Sequence, residues 1–304
     1  MWLNVLKLIR WPNLLIVFLT QWIVWSRVIS TSLHTLDLTS RLSFLHLFLL
    51  SLSTVFVAAA GYIINDIYDV HIDLINKPSK VIVGRLISIQ LSYLYYYLVL
   101  GLGASIVLYL GIVFNKLLFV LLYPAVAGIL HLYAMKLKKT VLVGNIIISM
   151  FVGLVPFIPL LADLDQVRAY SEPRILQLLS LYGSLAFLSN LAREIVKDMQ
   201  DIKGDKAYDA KTFPILFGIS RSKKLLYLIL FSIIFLLVHW SFFYDSYSQS
   251  TAKIAFGTIP LLTICFSLLI TLPKLKSPTD FGKWSLGIKV FMLCGLLFLY
   301  LQTI

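Results

Sequence analysis

Long apolar runs separated by short polar segments dominate the pattern of residues along the chain. A helix that crosses the hydrocarbon core of a bilayer needs roughly 20 mostly apolar residues, and nine runs of this kind can be distinguished. The pattern therefore predicts an all-α, polytopic membrane protein of nine transmembrane helices, with residues 1–304 forming a single domain. The predicted spans are residues 11–31, 44–65, 89–113, 117–135, 141–162, 175–192, 224–243, 254–273 and 284–303.

The composition excludes a soluble globular protein. Only 13% of the residues are charged, whereas soluble domains carry about 25%. The mean hydropathy of +0.91 means that the chain could not cover its surface with polar groups in water. The net charge of +12 would suggest nucleic acid in a soluble protein, but here the placement of Lys and Arg in alternate loops explains most of it.

The distribution of Lys and Arg predicts the orientation of the helices. With the N-terminus inside, the segments on the cytoplasmic side hold nineteen of these residues and the segments on the opposite side hold six. Cytoplasmic loops of membrane proteins carry an excess of Lys and Arg. We therefore expect the N-terminus and both acidic segments to be cytoplasmic, and the C-terminus to be outside.

Eight of the fourteen acidic residues lie in two short segments that follow the second and sixth predicted spans. Solvation of the surface would spread them over all the loops, so their clustering indicates a shared chemical role. The first segment contains Asp66, Asp69 and Asp73, and the second contains Glu194, Asp198, Asp201, Asp205 and Asp209.

The spacing of the aspartates is the same in both segments. Asp66, Asp69 and Asp73 stand at i, i+3 and i+7, as do Asp198, Asp201 and Asp205, and this spacing places each set on one face of a helix. Like charges repel at these distances, so a positive group must offset them. Carboxylate ligands favour Mg²⁺, with Mn²⁺ as an alternative, and magnesium commonly joins carboxylates to phosphate oxygens. The six aspartates are therefore the predicted metal ligands for a diphosphate substrate.

Basic residues lie beside both acidic segments, as a phosphate-binding site requires. The candidates are Lys77, Lys80 and Arg85 after the first segment, Arg193 and Lys197 within the second, and Lys136 and Lys138 between the fourth and fifth spans. Aromatic residues make up 14% of the chain, and aromatic faces can stabilise a carbocation. Candidates to line a cavity are Tyr62, Tyr68, Tyr93, Tyr95, Tyr96, Tyr97 and Tyr133.

The two acidic segments resemble the motifs of the UbiA family of intramembrane prenyltransferases. The first reads NDIYDVHID over residues 65–73, and the second reads REIVKDMQDIKGD over residues 193–205. The positions of both motifs and the nine spans agree with the family over nearly the whole chain. The resemblance implies nine helices around a central cavity and Mg²⁺-dependent transfer of a prenyl group from an allylic diphosphate.

The resemblance also implies roles for individual residues. Asp66, Asp69 and Asp198, together with Tyr133 and Lys136, would be catalytic, and the six aspartates would hold the metal. Arg10 and Asn13 match positions near the acceptor at the start of the first helix. The residues implied in substrate binding are Arg10, Asn13, Asn65, Lys77, Lys80, Arg85, Lys138, Asn145, Arg193 and Lys197.

The acceptor is less closely defined than the family. The second motif and its continuation, KAYDAKTFPI, resemble the geranylgeranylglycerol-phosphate geranylgeranyltransferase branch, which implies geranylgeranylglycerol phosphate or a similar prenyl-glycerol phosphate as acceptor. The segment after the first motif reads NKPSKVIVGR, where that branch commonly has NRPxRPLPSG. An aromatic acceptor of quinone biosynthesis, 4-hydroxybenzoate or dihydroxynaphthoate, therefore stays an alternative.

An alternative of another class is a divalent-cation transporter. The acidic residues of a transporter should lie near the middle of a span, whereas these lie at the ends of spans on one side. The expected partners are a prenyl diphosphate, a membrane-soluble acceptor and the lipid bilayer. Neither nucleic acid nor a protein partner is expected.

Overall fold

The computed structural model describes residues 2–169, 173–244 and 251–301. Apart from one bridge between Val83 and Ile87, the regular secondary structure of these residues is helical, which confirms the predicted all-α class. The helices are α1 (Trp2–Leu8), α2 (Trp11–Ile23), α3 (Ser30–His34), α4 (Phe44–Asn76), α5 (Ile89–Val113), α6 (Leu117–Met135), α7 (Val143–Leu154), α8 (Leu160–Ala169), α9 (Pro173–Ala207), α10 (Phe213–Tyr244), α11 (Thr251–Thr271) and α12 (Pro278–Leu301).

Eight helical segments of the described residues are long and apolar enough to cross a membrane. A ninth is obtained when Val143–Phe157 and Leu160–Ala169, which meet at 62°, are counted as one bent span. The predicted number of nine therefore depends on this bent pair. The first span is also irregular, because a π-helix over Val24–Ile29 joins α2 to α3.

Both acidic segments lie on helices that continue beyond the predicted spans. Helix α4 runs to Asn76 and α9 runs to Ala207, whereas the apolar pattern predicted ends at residues 65 and 192. The backbone N–H of Lys77 donates to the carbonyl of Asp73 at 2.8 Å and closes the last turn of α4. Pro78 follows at once and cannot continue the helix. Apart from Asp209, which follows α9, the acidic segments are thus helical extensions of the spans, as their i, i+3, i+7 spacing indicated.

The chain divides into two compact units. The first unit comprises Met1–Trp22, Arg41–Thr140 and Lys203–Ala210, and the second comprises Ile23–Ser40, Val141–Ile202 and Lys211–Ile304. In the first unit α4 packs against α5 and α6 around a core that includes Ile63, Tyr96 and Ala134. The expectation of a single domain stays a prediction.

In the second unit α7 and α9 approach each other closely at two glycines. A Cβ at Gly183 would lie 2.6 Å from the backbone oxygen of Gly153, and a Cβ at Gly153 would lie 2.8 Å from the backbone oxygen of Gly183. Small residues at such crossings allow the backbones of membrane helices to pack directly. This contact brings together the two helices that carry Asn145 and the second motif.

We predict that Gly183→Ala destabilises the protein by about 1–3 kcal/mol, because the new methyl group meets a backbone atom that cannot rotate away. The matched control is Gly101→Ala on α5, where a Cβ meets no atom within 4 Å. Thermal unfolding of the purified protein in detergent measures both. Equal midpoints for the two variants would contradict the close helix contact.

Candidate active site

The first cluster of candidate residues joins the start of α2 to the first motif. Arg10 lies between α1 and α2 with a positive φ of 53°, and its Nη2 donates to Oδ1 of Asp66 at 2.7 Å. The guanidinium carbon lies 4.8 Å from the centroid of the Tyr62 ring. Asn13 Nδ2 donates to the Tyr62 hydroxyl at 3.2 Å. The two residues predicted near the acceptor, Arg10 and Asn13, are therefore in contact with α4.

A second cation lies beside the next carboxylate of the motif. Lys138, just after α6, forms an ion pair with Oδ1 of Asp69, and both side chains are largely buried. Asn65 Nδ2 donates to the other oxygen, Oδ2, at 2.6 Å. The predicted repulsion between Asp66 and Asp69 is thus offset, in the described residues, by the protein's own Arg10 and Lys138.

The second unit contains a buried polar chain along α7 and α9. Asn145 Nδ2 donates to Oδ2 of Asp198 at 2.8 Å, and Ser149 donates to the backbone oxygen of Asn145 at 2.6 Å. Asn190 Nδ2 donates to the Ser149 hydroxyl at 3.2 Å. Asn145, Ser149 and Asn190 are all buried, so this network fixes the orientation of Asp198 from inside the unit.

Two candidate basic residues of the second motif, Arg193 and Lys197, are paired with a carboxylate that was not assigned a role. Lys197 Nζ lies 2.5 Å from Oε1 of Glu194, and Arg193 Nη1 lies 3.1 Å from the same oxygen. Glu194 is 8% exposed, so its charge needs such partners. Glu194 thus orients the side chains of Arg193 and Lys197, which lie on the same helix as Asp198 and Asp201.

Other candidates take more peripheral positions within the first unit. Lys80 and Lys136 are exposed, and the Arg85 guanidinium donates to the backbone oxygen of Pro78. Arg85 therefore stabilises the connection between α4 and α5, where Gly84 adopts a φ of +82°. Lys138, rather than Lys136, is the lysine of this loop that reaches the first motif. The remaining candidates of this unit are placed on α4, just after α4, on α6 and on α9: Asp73, Lys77, Tyr133 and Asp205.

No motif singles out His131 on α6, which contacts two of the candidate tyrosines. Its Nε2 lies 3.3 Å from the Tyr68 hydroxyl and its Nδ1 lies 3.1 Å from the Tyr96 hydroxyl. The rings of Tyr93 and Tyr97 stack beside them. His131 lies within an apolar helix and belongs to no recognisable motif, so only the fold reveals these partners.

The donor chemistry of the first motif fits a hard divalent cation. Asp66, Asp69 and Asp73 offer only carboxylate oxygens along one helix face. His71 lies between them in sequence, but its ring stacks on Tyr208 with centroids 6.4 Å apart. Within the described parts of the chain, no three His, Cys, Asp or Glu side chains already converge as a metal cage. The residues therefore fit the metal by their chemistry, and in this structure two of the carboxylates are engaged by cations.

Comparison with known proteins identifies the family. Residues 10–293 match the model of the UbiA prenyltransferase family, so the match includes both motifs and nearly all the helices.

Among curated relatives, the chain is 35% identical over 167 residues to the digeranylgeranylglyceryl phosphate synthase of Methanobrevibacter smithii, covering 55% of this chain and 56% of that protein. It is 38% identical over 175 residues to the synthase of the same name from Methanothermobacter thermautotrophicus, covering 57% of each. The aligned part thus spans little more than half the length of these relatives.

Solved structures show the same fold over nearly the whole chain. A structure described as digeranylgeranylglyceryl phosphate synthase in membranes has a TM-score of 0.65 at 25% identity, with 99% of this chain and 97% of that chain covered. A UbiA homologue from Aeropyrum pernix has a TM-score of 0.65 at 15% identity, with 93% and 96% covered. A homologue from Archaeoglobus fulgidus, bound to GPP and Mg²⁺, has a TM-score of 0.58 at 16% identity, with 97% and 99% covered.

We predict that Ser149→Ala destabilises the protein by about 1–2 kcal/mol, because it leaves the buried Asn190 amide without its acceptor. Ser105→Ala is the matched control, since the Ser105 hydroxyl makes a similar bond to the carbonyl four residues before it, at 2.9 Å, but is exposed. Thermal unfolding in detergent compares the two variants. A Ser149→Ala midpoint no lower than that of Ser105→Ala would contradict the buried network.

Proposed function

The chain belongs to the UbiA prenyltransferase family and is a multi-pass membrane protein, and from this premise we propose that it transfers a polyprenyl group from an allylic prenyl diphosphate to a prenyl-glycerol phosphate. The observation that carries the proposal is the first motif, in which Asp66 and Asp69 each form an ion pair with a basic side chain from another segment of the chain. A prenyl diphosphate has a charged head and an apolar tail, and these acidic helix extensions adjoin the apolar spans.

The curated relatives support this acceptor class. Several archaeal relatives at 32–38% identity are named digeranylgeranylglyceryl phosphate synthases, a name that describes a prenyl-glycerol phosphate product. Because the match covers just over half of each relative, the activity of this chain rests on the proposal and on its test. An aromatic acceptor remains the second candidate, since the segment after the first motif departs from the pattern of that branch.

The basic residues of the first unit have a proposed part in this reaction. Arg10 and Lys138 would donate hydrogen bonds to phosphate oxygens, and their contacts with the motif carboxylates Asp66 and Asp69 support this role. Arg offers a planar set of donors and Lys a compact charge, and both suit phosphate. Asn65 orients the Asp69 carboxylate from the same helix.

A divalent cation completes the proposed site. Mg²⁺, with Mn²⁺ as an alternative, would be held by Asp66, Asp69, Asp73 and Asp205 of the first unit, and Asp198 and Asp201 are further proposed ligands. When bound, it would neutralise the charge that develops on the departing diphosphate. The solved homologue with GPP and Mg²⁺ has this fold, which supports the same cofactor here.

We propose that the N-terminus and both acidic segments are cytoplasmic and that the C-terminus is outside. The bias of nineteen to six in Lys and Arg supports this orientation. A charged diphosphate head supplied from the cytoplasm would then meet the acidic helix extensions without crossing the bilayer.

We predict that inverted membrane vesicles containing the protein release diphosphate from added geranylgeranyl diphosphate when Mg²⁺ and geranylgeranylglyceryl phosphate are present. Right-side-out vesicles should be inactive, because the charged head cannot reach the cytoplasmic face. Parallel assays use 4-hydroxybenzoate and dihydroxynaphthoate as acceptors. Turnover only with an aromatic acceptor would replace the proposed acceptor, and absence of turnover with every acceptor, together with Mn²⁺ flux, would favour a transporter.

We predict that Asp66→Asn lowers kcat by roughly 100-fold or more, because the neutral amide lacks the negative charge that would bind the divalent metal ion. Asp37→Asn is the matched control: Asp37 is exposed and has a positive φ of 56°, a conformation that Asn also tolerates. Rates are measured with purified protein at equal amounts of folded enzyme. Full turnover by Asp66→Asn would refute the metal assignment.

A further inference from the structure

The ends of the two motif-bearing helices are joined within the first unit by one side chain. Oδ1 of Asn76, the last residue of α4, accepts a hydrogen bond of 2.7 Å from the backbone N–H of Gly204 on α9. Asn76 lies one helical turn after Asp73, and Gly204 directly precedes Asp205. The hydrogen bond therefore connects the backbone beside one proposed ligand to the helical turn that carries another.

This contact requires a glycine at position 204. A Cβ at Gly204 would lie 2.5 Å from Nδ2 of Asn76 and 2.7 Å from both its Cγ and Oδ1. Gly204 has a negative φ inside a helix, where glycine is disfavoured by about 1 kcal/mol relative to alanine. Since the backbone conformation does not demand glycine, the close approach of Asn76 is the physical reason for it.

The burial of the amide indicates that its orientation is fixed. Nδ2 of Asn76 is buried and has no hydrogen-bond partner among the described residues, a state that costs free energy. Oδ1 must face Gly204, because only an oxygen can accept the backbone hydrogen. Five residues before Asn76, the ring of His71 stacks on Tyr208, with an interplanar angle of 22°, so the two chain segments meet at a second point.

We propose that Asn76 is a positioning residue that holds the end of α9 against the end of α4 and thereby sets the spacing of Asp205 from the first-motif carboxylates. This inference rests on the proposed function, because the spacing matters for a divalent cation held by these carboxylates. Removal of a residue that orients a metal ligand typically weakens metal affinity roughly 10–100-fold. Asn76 is not itself one of the proposed metal ligands.

The first measurement is the affinity for Mn²⁺, read from the EPR signal of free Mn²⁺ with the purified full-length chain. We expect Asn76→Ala to raise the Kd for Mn²⁺ roughly tenfold. Asn76→Asp keeps an acceptor oxygen in the same place and should bind at least as tightly as the wild type. Leu74→Ala, at an exposed position on the same turn of α4, is the control and should leave the affinity unchanged.

A double-mutant cycle separates the hydrogen bond from simple packing. Gly204→Ala alone should weaken Mn²⁺ binding, because its methyl group displaces the Asn76 side chain. In Asn76→Ala/Gly204→Ala the clash is gone but the hydrogen bond is still missing, so the affinity should match that of Asn76→Ala. An affinity restored to the wild-type value in the double variant would show that only the packing matters and would overturn the proposal.

Turnover provides the second readout. We expect Asn76→Ala to lower kcat and to raise the Mg²⁺ concentration for half-maximal rate, with the KM for the acceptor unchanged. A merely structural role would lower the amount of folded protein without shifting the Mg²⁺ dependence. Wild-type Mn²⁺ affinity in Asn76→Ala, or an Asn76→Asp variant no better than Asn76→Ala, would refute the inference.

Failure of the proposed function would look different. The wild-type chain would then release no diphosphate with any acceptor, while the dependence of Mn²⁺ affinity on Asn76 could still be measured. If the wild-type chain bound no Mn²⁺ at all, both the metal site and the positioning role would be refuted.

Discussion

Carboxylates that share one helix face repel each other, and the first unit is organised around the groups that offset this repulsion. Arg10 comes from the connection between α1 and α2, and Lys138 comes from the segment after α6. The offsetting charges therefore tie two distant parts of the chain to α4. Arg10 holds a left-handed backbone conformation, which costs roughly 1–2 kcal/mol in a residue other than glycine, so its contact with Asp66 must compensate for local strain.

The second unit solves a related problem, that of polar groups buried within apolar helices. An amide or hydroxyl in such surroundings is costly unless it has partners. A chain of hydrogen bonds across α7 and α9 provides these partners. It runs from Asn190 to Ser149, from Ser149 to Asn145 and from Asn145 to Asp198. The direct contact of Gly153 with Gly183 lets these helices come close enough for that chain to form. Packing by small residues and polar satisfaction are thus two aspects of one interface.

The apolar pattern was sufficient where a span ends at a turn, and insufficient where a helix leaves the apolar run. Helices α5 and α6 cover the same residues as the predicted spans 89–113 and 117–135. Helices α4 and α9 extend beyond the predicted spans, because a hydropathy pattern ends a span where charged residues begin. The i, i+3, i+7 spacing of the aspartates in these extensions is nevertheless helical. The motif spacing predicted the candidate residues, but not their partners. The contacts of Asp69 with Lys138 and of Asp198 with Asn145 join positions 69 and 53 residues apart, and only the packing of the helices determines such pairs.

The pairing of the first-motif carboxylates also bears on the choice between an enzyme and a cation transporter. A site that conducts or releases a divalent cation needs carboxylates that the ion can reach alone, and fixed positive charges beside them would repel it. Arg10 and Lys138 are such charges. A diphosphate is itself negatively charged, so Arg10 and Lys138 would be able to bind its oxygens while the carboxylates bind the metal. The arrangement of Asp66 and Asp69 therefore favours a site that accepts a cation and an anion together over one that accepts a cation alone.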